Sequence, residues 1–315
     1  MAHVRRAVID IGTNSIKLLV ADVDGAVAQP VLEQSRQTRL GRGFYDTHRL
    51  QPEAIEATAK AVSDFVQTAR QHSATSVKLI ATSAAREAKN VDELASAITG
   101  ACGLSIEIIS GAQEADWVFK GVSTDPALAR IPLLILDAGG GSTEFILGQG
   151  NEKHFSASFP LGTVRLLEQC PHSEPPSPSE LNRCRGSIRD FLMKEVHPLL
   201  DAPLAAEVHG RSRGIQLAGT GGTAAILARV ELQIDSYDRA RIEGVLIPFE
   251  RVRWHAEHLW SLPLQARKNI RGLPPDRADV ILPGVLIYEA IMDQFGFGQL
   301  RVSTRGLRFA AVLEP

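Results

Sequence analysis

The chain has 315 residues, 44% hydrophobic and 22% charged, with a formal net charge of -2. These values exclude a disordered, collagen-like or disulfide-dense chain, and the near-neutral balance supplies no global attraction to nucleic acid or an anionic membrane. The length exceeds what one hydrophobic core usually serves, so two packed domains are expected. Cys102, Cys170 and Cys184 form no Cys-x-x-Cys pair, which fits a reducing compartment and structural thiols. Met1 to Arg6 runs straight into Ala7-Val-Ile-Asp without an apolar signal core, and no stretch reaches transmembrane length. The expectation is a cytoplasmic protein with no membrane contact.

In chain order, Ala7 to Ile11 and Ile16 to Asp22 read as two strands around the polar turn Gly12-Thr-Asn-Ser15. Pro52 to Arg70 carries Ile55, Ala59, Val62 and Val66 at helical spacing and predicts a helix. Val77 to Ala81 reads as a buried strand, and Thr82 and Ser83 cap a segment bearing Arg86. Asp92-Glu93 open an amphipathic helix. Ser105 to Ile109 is a further strand, and Ser110-Gly111 leads into a helix through Val122. Leu133 to Leu136 runs into Asp137-Ala-Gly-Gly-Gly-Ser142, followed by the strand Thr143 to Leu147. The Pro-rich stretch 171–178 reads as a surface loop ahead of a helix capped near Ser179. Alternation of strands and helices makes the class α/β.

An internal repeat carries the functional argument. Asp10-Ile-Gly12-Thr-Asn14-Ser15 aligns without a gap on Asp137-Ala-Gly139-Gly140-Gly141-Ser142, each after an apolar strand and before another. A phosphate oxygen must approach the backbone closely, which side chains obstruct, and Asp can orient Mg²⁺ or a metal-bound water against it. Ordinary hairpins with Gly turns explain either copy but not the shared Asp and Ser. Two such turns facing one another would clamp phosphate. Gly219-Thr220-Gly221-Gly222 follows a strand and opens a helix, a third place for amides to meet an anion.

Hydrolysis of a phosphoanhydride needs a positioned water and neutralised phosphate charge. Glu114, in a helix's first turn, is the candidate carboxylate; stabilisation of that helix start by its charge is the competing reading. Arg86 suits bidentate contact with phosphoryl oxygens, and Asn90 either assists it or ends its short helix. Glu144 replaces Lys17 in the repeat, an asymmetry that suits a metal beside Asp137. Arg267 and Arg271 lie in a basic span ending at Arg277-Ala-Asp279 that could guide an anionic chain; a solvated loop explains it nearly as well. His255 and His258 read as helix-surface residues.

Together Asp10 to Ser15, Ala81 to Asn90, Ser110 to Ala115, Asp137 to Glu144, Phe159-Pro-Leu-Gly162, Gly219 to Gly222 and Arg277-Ala-Asp279 resemble the exopolyphosphatase and guanosine pentaphosphate phosphohydrolase family over nearly the whole chain. The resemblance implies two ribonuclease H-like domains of the actin-like ATPase superfamily facing across a cleft, residues 1–124 plus 303–315 and residues 125–302. It makes Glu114 the general base. It assigns phosphate to Arg86, Asn14, Ser15, Gly139, Gly140, Gly141 and Ser142, and Mg²⁺ to Asp137, Asp10 and Glu144, with the choice between Mg²⁺ and Mn²⁺ and any need for K⁺ left open. The implied substrate is inorganic polyphosphate and the implied assembly a homodimer. Guanosine pentaphosphate hydrolysis, small-molecule phosphotransfer and sensing of guanosine tetraphosphate remain open. Longer family members continue into a helical His-Asp-type domain; this sequence has no His-Asp dipeptide, which suggests a preference for shorter polyphosphates.

Overall fold

Contacts divide the chain into two compact units, Met1–Thr124 with Gly306–Pro315, and Asp125–Arg305. The computed structural model describes residues 4–209 and 214–314. In the first unit, β1 (Val4–Ile11), β2 (Ser15–Asp24) and β3 (Val27–Gln37) pair antiparallel. They are followed by α1 (Pro52–Gln71), β4 (Ser76–Ala81), α2 (Ser83–Glu87), α3 (Val91–Cys102), β5 (Ile106–Ile108) and α4 (Gly111–Ser123). The sheet order is β3-β2-β1-β4-β5, with β4 parallel to β1 and to β5. β1 and β2 are buried along most of their length, so they read as apolar runs, and α1 lays Ile55, Val62 and Val66 into the core that they share. The sequence reading missed β3. It is an edge strand with one solvated side, and Pro30 sits where the β2 register shifts, so neither period nor composition marks it as a strand.

The second unit contains β6 (Leu133–Ala138), β7 (Thr143–Gln149), β8 (Glu152–Phe159), α5 (Thr163–Gln169) and α6 (Pro178–Phe191). A π turn at Leu192–Val196 joins α6 to α7 (His197–His209). Then come β9 (Gln216–Thr220), α8 (Gly221–Leu232), α9 (Arg239–Ile242), β10 (Leu246–Pro248), α10 (Phe249–Ser261), α11 (Leu264–Arg267), α12 (Ile281–Phe295) and β11 (Gln299–Val302). The order β8-β7-β6-β9-β11 reproduces the strand arrangement of the first unit, two antiparallel and then two parallel pairings, with β10 added at the edge. The cap of α6 is Ser177 rather than Ser179. Its hydroxyl accepts from the Glu180 amide while the Glu180 carboxylate takes the Ser177 amide, a reciprocal box that satisfies both ends.

Residues 303–305, assigned by the sequence reading to the first domain, are held in the second unit. The Ser303 amide donates to Gly219 O at 2.8 Å, and Thr220 Oγ1 donates to Arg305 O at 2.8 Å. From Gly306 the chain completes the first unit through α13 (Leu307–Ala311), which packs on α4. Arg6 donates to Leu313 O at 2.9 Å, Arg308 to Leu18 O at 2.8 Å, and Trp117 Nε1 to Glu314 Oε1 at 2.7 Å. No described helix is long and apolar enough to cross a membrane. A Cβ at Gly121 of α4 would lie 2.1 Å from Gly306 O, so only glycine lets the closing segment dock. Gly121→Ala is expected to lower stability by about 2 kcal/mol through this overpacking, read as a lower urea midpoint.

Candidate active site

Each unit builds the same turn from the same register. In the first, Asp10 faces Lys17 and Ile11 faces Ile16 across β1 and β2, and the Gly12 amide closes the turn on Ser15 O at 3.1 Å. In the second, Asp137 faces Glu144 and Ala138 faces Thr143, and the Gly139 amide closes on Ser142 O at 2.9 Å. Residues opposite one another in an antiparallel pair share a face, so each turn is flanked by a pair of side chains meeting on one side of the sheet.

A second segment then takes the carbonyls of each turn. In the first unit the amides of Thr38 and Arg39 donate to Asn14 O at 3.2 and 2.9 Å, and Gly41 donates to Thr13 O at 2.7 Å. In the second, Thr163 donates to Gly139 O at 3.0 Å, Val164 and Arg165 to Gly140 O at 2.8 and 3.2 Å, and Arg165 Nε to Gly141 O at 3.0 Å. In a trans peptide the N–H points opposite to the C=O. Tying down the three glycine carbonyls therefore aims the amides of Gly140, Gly141 and Ser142 the other way, where they can donate to an anion. The same argument turns the Asn14 and Ser15 amides outward in the first unit. Asn14 adds a donor: its Oδ1 accepts from Gln37, while its buried Nδ2 has no partner among the described residues. An anion would satisfy it.

Glu114 sits in the first turn of α4, whose cap Ser110 accepts from Gln113, and its Oε2 lies 3.1 Å from Arg86 Nη1. The same Arg86 nitrogen donates to Ile109 O at 2.9 Å, which fixes the guanidinium at the mouth of the β5–α4 loop. The structure thus brings together Glu114 and Arg86, which lie 28 positions apart in the sequence. Asn90 is a different case. It accepts from the Leu50 amide and donates to Leu50 O and Glu93, so its amide braces the 38–50 segment and is spent on the protein.

The flanking pairs differ in charge. Burial raises the Asp10 carboxyl above the usual carboxylate range, against the attraction of Lys17 and then Arg308. That copy is offset internally by its lysine. Asp137 and Glu144 instead place two carboxylates opposite one another, which repel unless a proton or cation lies between them. Glu144 is 1% exposed, and its Oε1 accepts from both Ser142 and Ser158 at 2.8 Å. Among the described residues no group of three or more His, Cys, Asp or Glu could hold a metal. Two carboxylates with water and substrate oxygens completing the shell fit Mg²⁺, which is rarely caged by protein alone.

The third glycine turn divides. A Cβ at Gly219 would meet Leu300 and Tyr288 at 2.9 Å, so this glycine serves core packing, and the Thr220 hydroxyl is used on Arg305 O. Gly221 has φ +83° and a Cβ there would lie 2.2 Å from Asp137 Oδ1, so the start of α8 presses directly on that carboxylate. Gly222 follows, partly exposed at the same helix start. Arg267, expected to guide an anion, is buried: it donates to Ala278 O, Leu262 O and Glu174, and none of its charge faces solvent. Arg271 is exposed, 3.4 Å from Asp235. His255 is likewise internal, 2.6 Å from Glu231, and burial lowers its pKa against the pull of that carboxylate. Sequence reasoning assigned no role to Arg165, Ser158 or Tyr288. Arg165 lies three residues beyond the Phe159-Pro-Leu-Gly162 motif, which was the available signal. Tyr288, whose hydroxyl donates to Thr220 O at 3.2 Å, gave none; burial, then the Asp137 charge, keep its phenol protonated.

The model of the Ppx/GppA phosphatase family matches residues 19–314. The chain belongs to this family. Exopolyphosphatase 2 of Mycobacterium tuberculosis is 35% identical over 320 residues, covering 96% of each chain. The Ppx/GppA enzyme of Aquifex aeolicus superposes with a TM-score of 0.77 at 28% identity over the full length of both chains. The guanosine-5'-triphosphate,3'-diphosphate pyrophosphatase of Vibrio campbellii is 28% identical over 98% of this chain, which spans 58% of that protein. The family match covers the glycine turns at residues 139–142 and 219–222; the first, at residues 12–15, precedes the matched span.

The clasp on the second turn depends on Gly162, where a Cβ would lie 2.4 Å from Gly140 O. Gly162→Ala is expected to disturb the receptor and weaken phosphate binding by about tenfold, a loss of one or two amide hydrogen bonds to an anion. Calorimetric titration with orthophosphate or tripolyphosphate checks it.

Proposed function

We propose that this chain is an exopolyphosphatase, a phosphoanhydride hydrolase that releases orthophosphate from the ends of inorganic polyphosphate. The observation that carries the reading is the end-to-end similarity to Exopolyphosphatase 2. It is supported by an Arg-bound carboxylate in the first unit and an amide receptor beside paired carboxylates in the second. Two ribonuclease H-like domains and a cytoplasmic homodimer belong to the same reading through the family resemblance; the recurring strand order of the two sheets supports the first.

Within the first unit, Glu114 orients a water and takes its proton as the oxygen adds to the terminal phosphorus. Arg86 holds the carboxylate in place and offers its remaining donors to phosphoryl oxygens. The outward amides of Asn14 and Ser15, with Asn14 Nδ2, bind phosphate charge. Within the second unit, Gly140, Gly141 and Ser142 do the same. Asp137 and Glu144 would hold Mg²⁺, which when bound offsets the charge on the transferred group. The bridging P–O bond breaks, and the polymer leaves one phosphate shorter.

The Vibrio relative supports a second reading, removal of the 5′ γ-phosphate from guanosine pentaphosphate. Orthophosphate release measured in parallel on both substrates separates them: polyphosphate is expected to be cleaved faster, and cleavage of the nucleotide alone would overturn the first reading. Glu114→Gln is expected to lower kcat by about 10²–10⁴-fold with KM little changed, the range for losing a positioned base. Glu144→Gln is expected to raise the Mg²⁺ concentration for half-saturation about tenfold or more. Calorimetric Mg²⁺ binding provides a readout independent of turnover.

A further inference from the structure

Ser158 of β8 stands directly opposite Glu144 of β7, which in turn stands opposite Asp137 of β6. Opposed residues share a face, so the three form one row across the sheet. The register that brings the hydroxyl there is fixed by the residues next to the row. Phe145 and Phe159, the chain neighbours of Glu144 and Ser158, meet edge to face with ring centroids 5.4 Å apart, and Thr143 Oγ1 donates to Leu161 O. The first unit repeats the row as Asp10, Lys17 and Ser35, but there the serine is exposed and stands opposite a lysine.

A hydroxyl in this position changes what Glu144 can offer a cation. Each carboxylate oxygen carries two lone pairs. Ser142 and Ser158 both donate to Glu144 Oε1 at 2.8 Å, on a side chain 1% exposed, so two hydrogens take the lone pairs of that oxygen. A cation that grips both carboxylate oxygens needs a lone pair from each. The two serines therefore confine a cation on Glu144 to the other oxygen, Oε2.

We propose that Ser158 is a specificity-determining residue that selects Mg²⁺ over Ca²⁺ by holding Glu144 to one-oxygen coordination. Such selection rests on the function proposed for Asp137 and Glu144 as the cation pair. Mg²⁺ demands near-octahedral geometry and keeps several of its waters, so one oxygen from each carboxylate suffices. Ca²⁺ takes about six to eight oxygens in a looser shell and gains from a carboxylate that binds through both. Hydroxyls on Oε1 leave the first ion unaffected and deny the second a ligand. Ser142 shares this task but also belongs to the glycine turn. Ser158 lies on another strand, so its removal separates cation choice from phosphate binding.

The test is calorimetric binding of Mg²⁺ and of Ca²⁺ to the full-length chain without substrate, which needs no turnover. In Ser158→Ala the ratio of the Ca²⁺ to the Mg²⁺ dissociation constant is expected to fall about tenfold, the low end for altering a group that orients a metal ligand. Ser158→Val should repeat that fall, whereas Ser158→Thr, of the same shape but with the hydroxyl, and Ser35→Ala should keep the parent ratio. Tb³⁺, a luminescent ion of Ca²⁺ size, should shed about one further coordinated water in Ser158→Ala as the second oxygen of Glu144 enters, read from its lifetimes in light and heavy water. A serine with a merely structural role would weaken both cations alike and leave the ratio where it was; that result overturns the proposal. Glu144→Gln separates the two levels. If it binds Mg²⁺ as the parent does, the cation pair itself is refuted and the selection with it; if it loses Mg²⁺ while the Ser158→Ala ratio stays unchanged, the selection alone is refuted.

Discussion

The functional architecture depends on how a carbonyl is held. A glycine turn left to itself presents amides and carbonyls to a ligand in equal number, and an anion gains little from such a surface. Here a separate segment takes the carbonyls of each turn, residues 38–41 in one unit and 162–165 in the other, so the ligand side is dominated by donors. Peptide planarity does the rest, because fixing the oxygen fixes the opposite hydrogen. The glycines are needed where the clasping backbone comes close, as at Gly162, and where the α8 start meets Asp137 at Gly221.

Given that common device, one residue distinguishes the copies. Lys17 offsets Asp10 from across the strand pair, and Glu144 adds to the charge of Asp137. The first pair sets an ammonium against a carboxylate; the second sets two carboxylates against one another. Two near-identical turns are therefore flanked by different electrostatics. Hydroxyls of Ser142 and Ser158 orient the Glu144 carboxylate, and burial keeps the Tyr288 phenol protonated behind Asp137.

The turns were legible in the sequence because their chemistry is local: Asp, Gly and Ser at fixed spacing after an apolar run, twice. Glu114 was legible as a carboxylate in a helix's first turn and Arg86 as a cation in a short capped segment, and their contact required the fold. The clasps were not legible, since backbone amides donating to backbone carbonyls leave no mark on residue identity. Arg267 and His255 were misread for a related reason. Each looks like a surface group in its own segment, and the carboxylate that permits its burial, Glu174 or Glu231, lies 93 or 24 positions away. Asn90 fits a site in composition, but its hydrogen bonds reach back across 40 residues to Leu50. The edge strand β3 was hidden by its solvated side.

The first unit is discontinuous, closed by α13 docking on α4 and by the Arg6 contact with Leu313. The second is continuous from Asp125 to Arg305. During vectorial synthesis from the amino end, the second unit can therefore finish its core while the first still lacks a helix, inverting the usual order in which the leading domain folds first. Val4 to Thr124 must wait on the ribosome with the groove beside α4 open, and the helix that carries Glu114 is among the last parts of the molecule to be fixed.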